Sequence, residues 1–224
     1  MQQLLLLYCC IFAKKLIIKL PNSSFISMNE NFPNIINQDG EAINYGKIYS
    51  DELSARIFTE LSNKISWVNE TVVMFGKEIT TKRKVAFYAN EGISYTYSKN
   101  TKQPLQWIPA LEEVKLFIEQ YTRQKYNACL LNYYHNGNEG MGWHADNEKE
   151  IIPNSSIASV SLGASRKFSF KHRVSKEVIS TVLENGSLIE MKGEIQMHWL
   201  HALPKSLKVT APRINLTFRQ MRAL

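Results

Sequence analysis

Three cysteines in 224 residues are too few to build a disulfide framework, and their placement argues the same way. Cys9 and Cys10 are adjacent and Cys129 stands alone, so no Cys-x-x-Cys pair exists and a zinc ribbon is excluded. A reduced, cytoplasmic compartment fits this cysteine usage best: nucleoid-associated in a bacterium, nuclear in a eukaryote. Long apolar runs are also missing. The stretch from Leu4 to Ala13 is well short of the roughly 20 residues that span a bilayer. A secretory signal would carry positive charge before such a run, yet Lys14 and Lys15 follow it. Stable membrane association is therefore not expected. Internal repeats and low-complexity tracts are absent as well. Acidic residues are outnumbered, 20 against 27 basic, and the formal charge of +7 favours a polyanionic partner.

What remains is one domain's worth of ordinary globular sequence, 44% hydrophobic. Residues 1–27 read as a peripheral segment, an upstream start extension before Met28, and residues 28–224 as a single domain. Apolar positions 53, 57, 58 and 61 after the capping residue Ser50 predict a helix over Asp51–Leu61. Pro109 to Gln124 predicts a second, with Leu111, Val114, Phe117 and Ile118 on a wide apolar face. From Asn127 onward short strands alternate with turns and no helical period persists, which argues for a sandwich or barrel. The expected class is α+β, mainly β, with a core over about 127–220 and a β-rich lid over about 67–105.

The segment Trp143-His144-Ala145-Asp146 carries the clearest chemistry. A His-x-Asp pair joined by one distant histidine is the ligand set of a 2-His-1-carboxylate facial triad, which holds Fe(II) and leaves one face open for a co-substrate and oxygen. His198 and His201 compete for the third place. Read as one strand, they are an odd number apart and face opposite sides, so one of them reaches the metal. His172 lies amid positive charge and reads as a surface residue, His135 as a turn residue. Downstream, Arg213, Asn215, Thr217 and Arg219 alternate with Ile214, Leu216 and Phe218, the period of a half-buried strand. Guanidinium forks suit a dicarboxylate. Upstream, Asn132 and Tyr134 share one face of a strand over Ala128–Tyr134 and could hold the far end of the same acid.

Asn132-x-Tyr134, His144-x-Asp146, His201 and Arg213-x-Asn215-x-Thr217-x-Arg219 resemble, in order and spacing, the AlkB family of Fe(II)/2-oxoglutarate dioxygenases, which oxidatively dealkylate nucleic-acid bases. The resemblance runs from about Phe75 to Arg219. Ile157–Ala164 and Pro212–Arg219 are similar to the nucleic-acid-repair branch. It implies a double-stranded β-helix, a jelly-roll variant, with flanking helices and a nucleotide-recognition lid. It also selects His201, twelve positions before Arg213, as the third ligand. Fe(II), O2 and 2-oxoglutarate are then the implied cofactor and co-substrates. Arg213, Asn132 and Tyr134 grip the distal carboxylate, and Thr217 and Arg219 line the same cavity.

For the lid, the resemblance implies a base pocket lined by Tyr95, Tyr97 and Ser98 and a finger at Phe75 that fills the gap left by a flipped base. Arg83, eight positions after Phe75, touches backbone phosphate in similar enzymes. Lys82 before Arg83 and Ala89 after Tyr88 depart from the pattern of relatives and leave the preferred substrate form open. Glu148 could hydrogen-bond the exocyclic amine of adenine or cytosine. The basic run Arg166–Arg173, alternating with aromatics, suits a phosphate track. The expected reaction is demethylation of 1-methyladenine- or 3-methylcytosine-type lesions in DNA by a monomer, releasing formaldehyde, succinate and CO2. The alternatives are an RNA demethylase, a hydroxylase of a protein or small molecule, and a catalytically silent nucleic-acid-binding module.

Overall fold

The computed structural model describes residues 32–74, 77–93, 95–97, 100–102 and 104–223. Phe75 and Ser98 lie outside the described residues, as does the N-terminal segment. In chain order the elements are β1 (Glu41–Lys47), α1 (Asp51–Lys64), β2 (Val68–Met74), β3 (Lys77–Ala89), β4 (Tyr95–Tyr97) and β5 (Asn100–Lys102). There follow α2 (Pro109–Thr122), β6 (Ala128–Tyr134), β7 (Met141–His144), β8 (Ile157–Gly163), β9 (Arg166–His172) and β10 (Val178–Leu183). The chain closes with β11 (Ser187–Lys192), α3 (Ile195–His198), β12 (Trp199–Leu203) and β13 (Arg213–Arg219).

Both long helices start where their sequence says they should. Ser50 accepts a hydrogen bond from the Leu53 amide, with Asp51 and Glu52 in the first turn to offset the exposed N–H dipoles. Pro109 opens α2, where its missing N–H costs nothing. Ile57 and Leu61 of α1 and Leu111, Val114 and Ile118 of α2 bury against Leu131, Val160, Leu162, Ile214, Leu216 and Phe218. That cluster seals the outer face of a seven-stranded sheet ordered β1-β11-β8-β13-β6-β3-β2.

A four-stranded sheet, β10-β9-β12-β7, makes the second layer, and all its pairings are antiparallel. Tyr134, Ile157, Ile189 and Met191 from the large sheet meet Phe168, Phe170, Trp199 and Leu203 from the small one. Two antiparallel sheets packed through their inner faces, with helices on one outer side, make the expected jelly roll with its flanking helices. Two details depart from expectation. β13, mid-sheet between β8 and β6, is buried on both faces, because α1 and α2 cover the face of Ile214, Leu216 and Phe218 while Arg213, Asn215, Thr217 and Arg219 face the space between the two sheets. The one-turn helix α3 interrupts the segment expected to be all strand, so His198 ends a helix and the strand begins at Trp199. Among the described residues, no helix is long and apolar enough to cross a membrane.

Candidate active site

β7 and β12 pair so that His144 and His201 stand directly opposite each other. Their rings lie 4.2 Å apart, centroid to centroid. Asp146 follows two residues after His144, its carboxylate 3.9 Å from His144 Nε2. One ligand atom from each of His144, Asp146 and His201 lies within 4.8 Å of the others. His144 Nδ1 is 2.8 Å from the Gly142 carbonyl, which can only accept, so the proton sits on Nδ1 and the Nε2 lone pair is free. The Asp146 backbone N–H donates to Gln196 Oε1 at 2.9 Å, which ties the loop after β7 to α3.

Electrostatics hold this cluster in the form a metal needs. Burial alone would raise the Asp146 pKa. Arg219, 2.9 Å from Asp146 Oδ1, together with His201 and His144, outweighs burial and holds the carboxyl at about 2. His201 is pushed down to about 3, first by burial and then by His144, so it is neutral at physiological pH. A carboxylate already ionised and an imidazole already deprotonated are ready ligands.

The cluster opens onto a cavity of about 700 Å³, its mouth included, between the two sheets. Register across β6 and β13 sets Tyr134 opposite Arg213 and Asn132 opposite Asn215. All four residues line the cavity, with Thr217 and Arg219 further along β13. The Arg213 guanidinium is only 2% exposed, and its hydrogen-bond partners, Ser161 Oγ and Asn215 Oδ1, are neutral. Burial brings its pKa down to about 10, so it remains a cation. Asn132 Oδ1 is buried and has no hydrogen-bond partner among the described residues. A buried cation with neutral partners and an orphaned amide oxygen, both on the wall of a cavity that also holds the His/Asp cluster, fit a small dicarboxylate chelated to a metal.

Several sequence expectations change in three dimensions. Arg83, expected to touch backbone phosphate, is buried, paired with Glu70, and turned onto the cavity wall. Strand parity along β3 sends Arg83 inward between Lys82 and Lys84. His172, expected on the surface, is 5% exposed, because Arg166, Phe168, Phe170 and His172 share the inward face of β9 while Lys167 and Lys171 face out. Glu148 also lines the cavity. Tyr95 and Tyr97 fall on one strand, paired with Lys102 and Asn100 of β5. Trp143, beside the metal cluster, is partly exposed with Lys171 Nζ 4.5 Å over its ring, a contact the sequence did not suggest.

A family model described as the 2OG-Fe(II) oxygenase superfamily matches residues 42–219. The chain is 37% identical to the mouse DNA oxidative demethylase ALKBH2, over 82% of this chain and 81% of that protein. It is 39% identical to the human protein of the same name, over 79% of this chain and 70% of that one. Bovine alpha-ketoglutarate-dependent dioxygenase alkB homolog 3 is 32% identical over 73% of this chain and 60% of that protein. The solved structure of OsALKBH1 superposes with a TM-score of 0.56 at 15% identity, covering 83% of this chain and all of that one, and so shares the fold. The paired histidines, the ionised aspartate and the arginine-walled cavity thus stand in a chain that belongs to the AlkB family of Fe(II)/2-oxoglutarate-dependent dioxygenases.

Proposed function

We propose that the protein removes methyl groups from N-alkylated bases of the 1-methyladenine and 3-methylcytosine type in DNA. The observation that carries this reading is one cavity walled by the His144/Asp146/His201 cluster, the buried Arg213 cation and Glu148. The relatives named as DNA oxidative demethylases support the substrate class.

His144, Asp146 and His201 would hold the iron, and Arg213, Asn132 and Tyr134 would hold the distal carboxylate of 2-oxoglutarate, with Thr217 beside them. When bound, Fe(II), 2-oxoglutarate and O2 supply the oxidising power, and the co-substrate leaves as succinate and CO2. The protein's own share is placement. Arg219 keeps Asp146 ionised and fixes its orientation. Gly142 keeps the His144 proton on Nδ1. The packed sheets restrict the reacting carbon to the open face of the cluster. Insertion of one oxygen atom into an N-methyl C–H bond gives an N-hydroxymethyl base. That base loses formaldehyde and regains its N–H or its ring lone pair.

Glu148 accepts a hydrogen bond from the exocyclic amine of the flipped base. Tyr95, Tyr97 and Ser98 form the base pocket, Phe75 fills the vacated stack, and Arg83 acts from the cavity wall. The outward face of β9, with Lys167 and Lys171, tracks phosphate. The test is succinate and formaldehyde release on oligonucleotides carrying 1-methyladenine or 3-methylcytosine, beside unmethylated controls and RNA of the same sequence. Methyl-dependent release on DNA is expected. Equal release on methylated and unmethylated strands, or methyl-dependent release on RNA alone, would overturn the assignment.

A further inference from the structure

One transverse row of side chains crosses neighbouring strands of the large sheet and ends at the wall that faces the co-substrate. In that sheet β13, β6, β3 and β2 lie side by side. Register pairs Arg213 with Tyr134 and Lys84 with Tyr133, so one step further along β3 brings Arg83 beside Tyr134. On β2, Asn69 pairs with Lys84, and past an irregularity at this point Glu70 meets Arg83. Glu70, Arg83, Tyr134 and Arg213 all line the same cavity.

The row starts in one functional region and ends in another. β2 and β3 belong to the β-rich segment expected to be the nucleotide lid, whereas β6 and β13 carry the arginine and tyrosine read as co-substrate ligands. Glu70 and Arg83 are both buried, and they form an ion pair. A buried cation without a partner is costly, so Glu70 fixes Arg83 where the two charges match. From the opposite sheet, Met141 Sδ lies 3.4 Å from Arg83 Nη1 and closes the other side.

Arg83 keeps one donor in reserve, because its Nε is buried and makes no hydrogen bond among the described residues. Burial works against the Arg83 charge, but Tyr134 and Glu70 outweigh it and the pKa is raised. On the other side of Tyr134, burial lowers the Arg213 pKa to about 10 while the same tyrosine opposes the fall. The Arg213 guanidinium lies 5.5 Å from the centre of the Tyr134 ring. The phenol thus stands between two cations that can donate hydrogen bonds and cannot accept them. Its hydroxyl proton is left for an anion in the cavity. A phenol oxygen that accepts from a guanidinium becomes a stronger donor through its own O–H, since hydrogen bonds in a chain polarise one another.

We propose that Glu70 is a positioning residue for co-substrate binding: it holds Arg83 against the Tyr134 hydroxyl, which then donates more strongly to the distal carboxylate of 2-oxoglutarate. This role rests on Tyr134 binding that carboxylate. The lid strands β2 and β3 thereby contribute to the co-substrate site, and Glu70 does so without touching the co-substrate itself.

The test is calorimetric binding of 2-oxoglutarate to the full-length chain loaded with Mn(II), a stand-in for iron that does not turn over. KM and kcat of the Fe(II) form on a 3-methylcytosine oligonucleotide, affinity for that oligonucleotide and melting temperature are measured beside it. Glu70→Gln should weaken 2-oxoglutarate about fivefold and raise its KM alike, with kcat at saturating co-substrate unchanged. Glu70→Met combined with Arg83→Met removes both charges at once, so it repeats the binding measurement in a chain with no stranded cation. Tyr134→Phe should also weaken 2-oxoglutarate, and adding Glu70→Gln to it should change little more, because the effect runs through the hydroxyl. Unchanged binding in Tyr134→Phe would remove Tyr134 from the co-substrate and the proposal with it. Weaker binding in Tyr134→Phe, but none in the folded Glu70 variants, would overturn the proposal alone. Additive losses in the Glu70→Gln and Tyr134→Phe pair would do the same. So would a loss of oligonucleotide affinity with co-substrate binding intact, which would put Arg83 on the nucleic-acid strand.

Discussion

Two clusters of the same three residue types share one small sheet, and their surroundings give them different chemistry. His144, Asp146 and His201 have Arg219 against the carboxylate and a cavity in front of them. Asp39, His172 and His198 have a buried imidazole on one side and a partly exposed carboxylate on the other, with Trp199 packed 4.9 Å from the His172 ring. The first therefore has space for a second reactant, whereas in the second His172 Nδ1 accepts the Ser175 backbone N–H and its Nε2 faces Asp39 Oδ2 at 3.1 Å, a clasp between the turn before β1 and the end of β9. The same residue types are ready ligands in one place and a hydrogen-bonded clasp in the other, and what stands beside them decides which.

The largest effect separating the two should come from Asp146→Ala, which removes the charge that offsets Fe(II). Turnover should fall below detection while circular dichroism and melting show a folded chain. Retained demethylation would break the comparison, since the first cluster would then be no more than structural. Next in size is Arg213→Ala. Loss of a charge-assisted hydrogen bond costs about 1.5–3 kcal/mol, so 2-oxoglutarate affinity should fall by roughly tenfold or more, with DNA affinity nearly unchanged. Titration of the two ligands separately reads this out, and the reverse pattern would move Arg213 from co-substrate to nucleic acid.

A smaller effect should appear in acid. His201 titrates normally near 6.5 in the unfolded chain but at about 3 in the fold. The unfolded state thus gains a proton first, and the metal-free protein should lose stability progressively as pH falls from about 6.5 toward 3. For one group this slope is at most about 1.4 kcal/mol per pH unit. Urea unfolding of the metal-free chain at a series of pH values, beside His201→Gln, checks it. The variant should show the shallower slope, and identical slopes would mean that His201 is not held neutral.

The parts of this site that were legible in sequence are those governed by short-range rules. Alternation from Arg213 to Arg219 places four polar side chains on one face, and β13 obeys it. The Ser50 cap and Pro109 mark two helix starts to the residue. What escaped depends on tertiary context. Four residues of helix at α3 are too few to show a period, so nothing in the sequence sets His198 apart from the strand that follows. Local charge hid the burial of His172 and Arg83, although the parity of β9 carried the signal for His172. Nothing in sequence links Asp39 to His172, because 133 residues separate them and only the closure of the Gly40 turn on α3 brings them together.

The ionised side chains that wall the active cavity have a consequence for the order of assembly. Arg83, Arg213 and Arg219 contribute three formal positive charges, and Glu70, Asp146 and Glu148 three negative. These formal charges sum to zero. A divalent cation alone would leave this enclosed space at +2, and a dicarboxylate alone at −2, each a costly state away from bulk water. Together they restore neutrality. Metal and co-substrate therefore favour each other's binding, and because coupling free energy is reciprocal, the factor by which iron tightens 2-oxoglutarate equals the factor by which 2-oxoglutarate tightens iron.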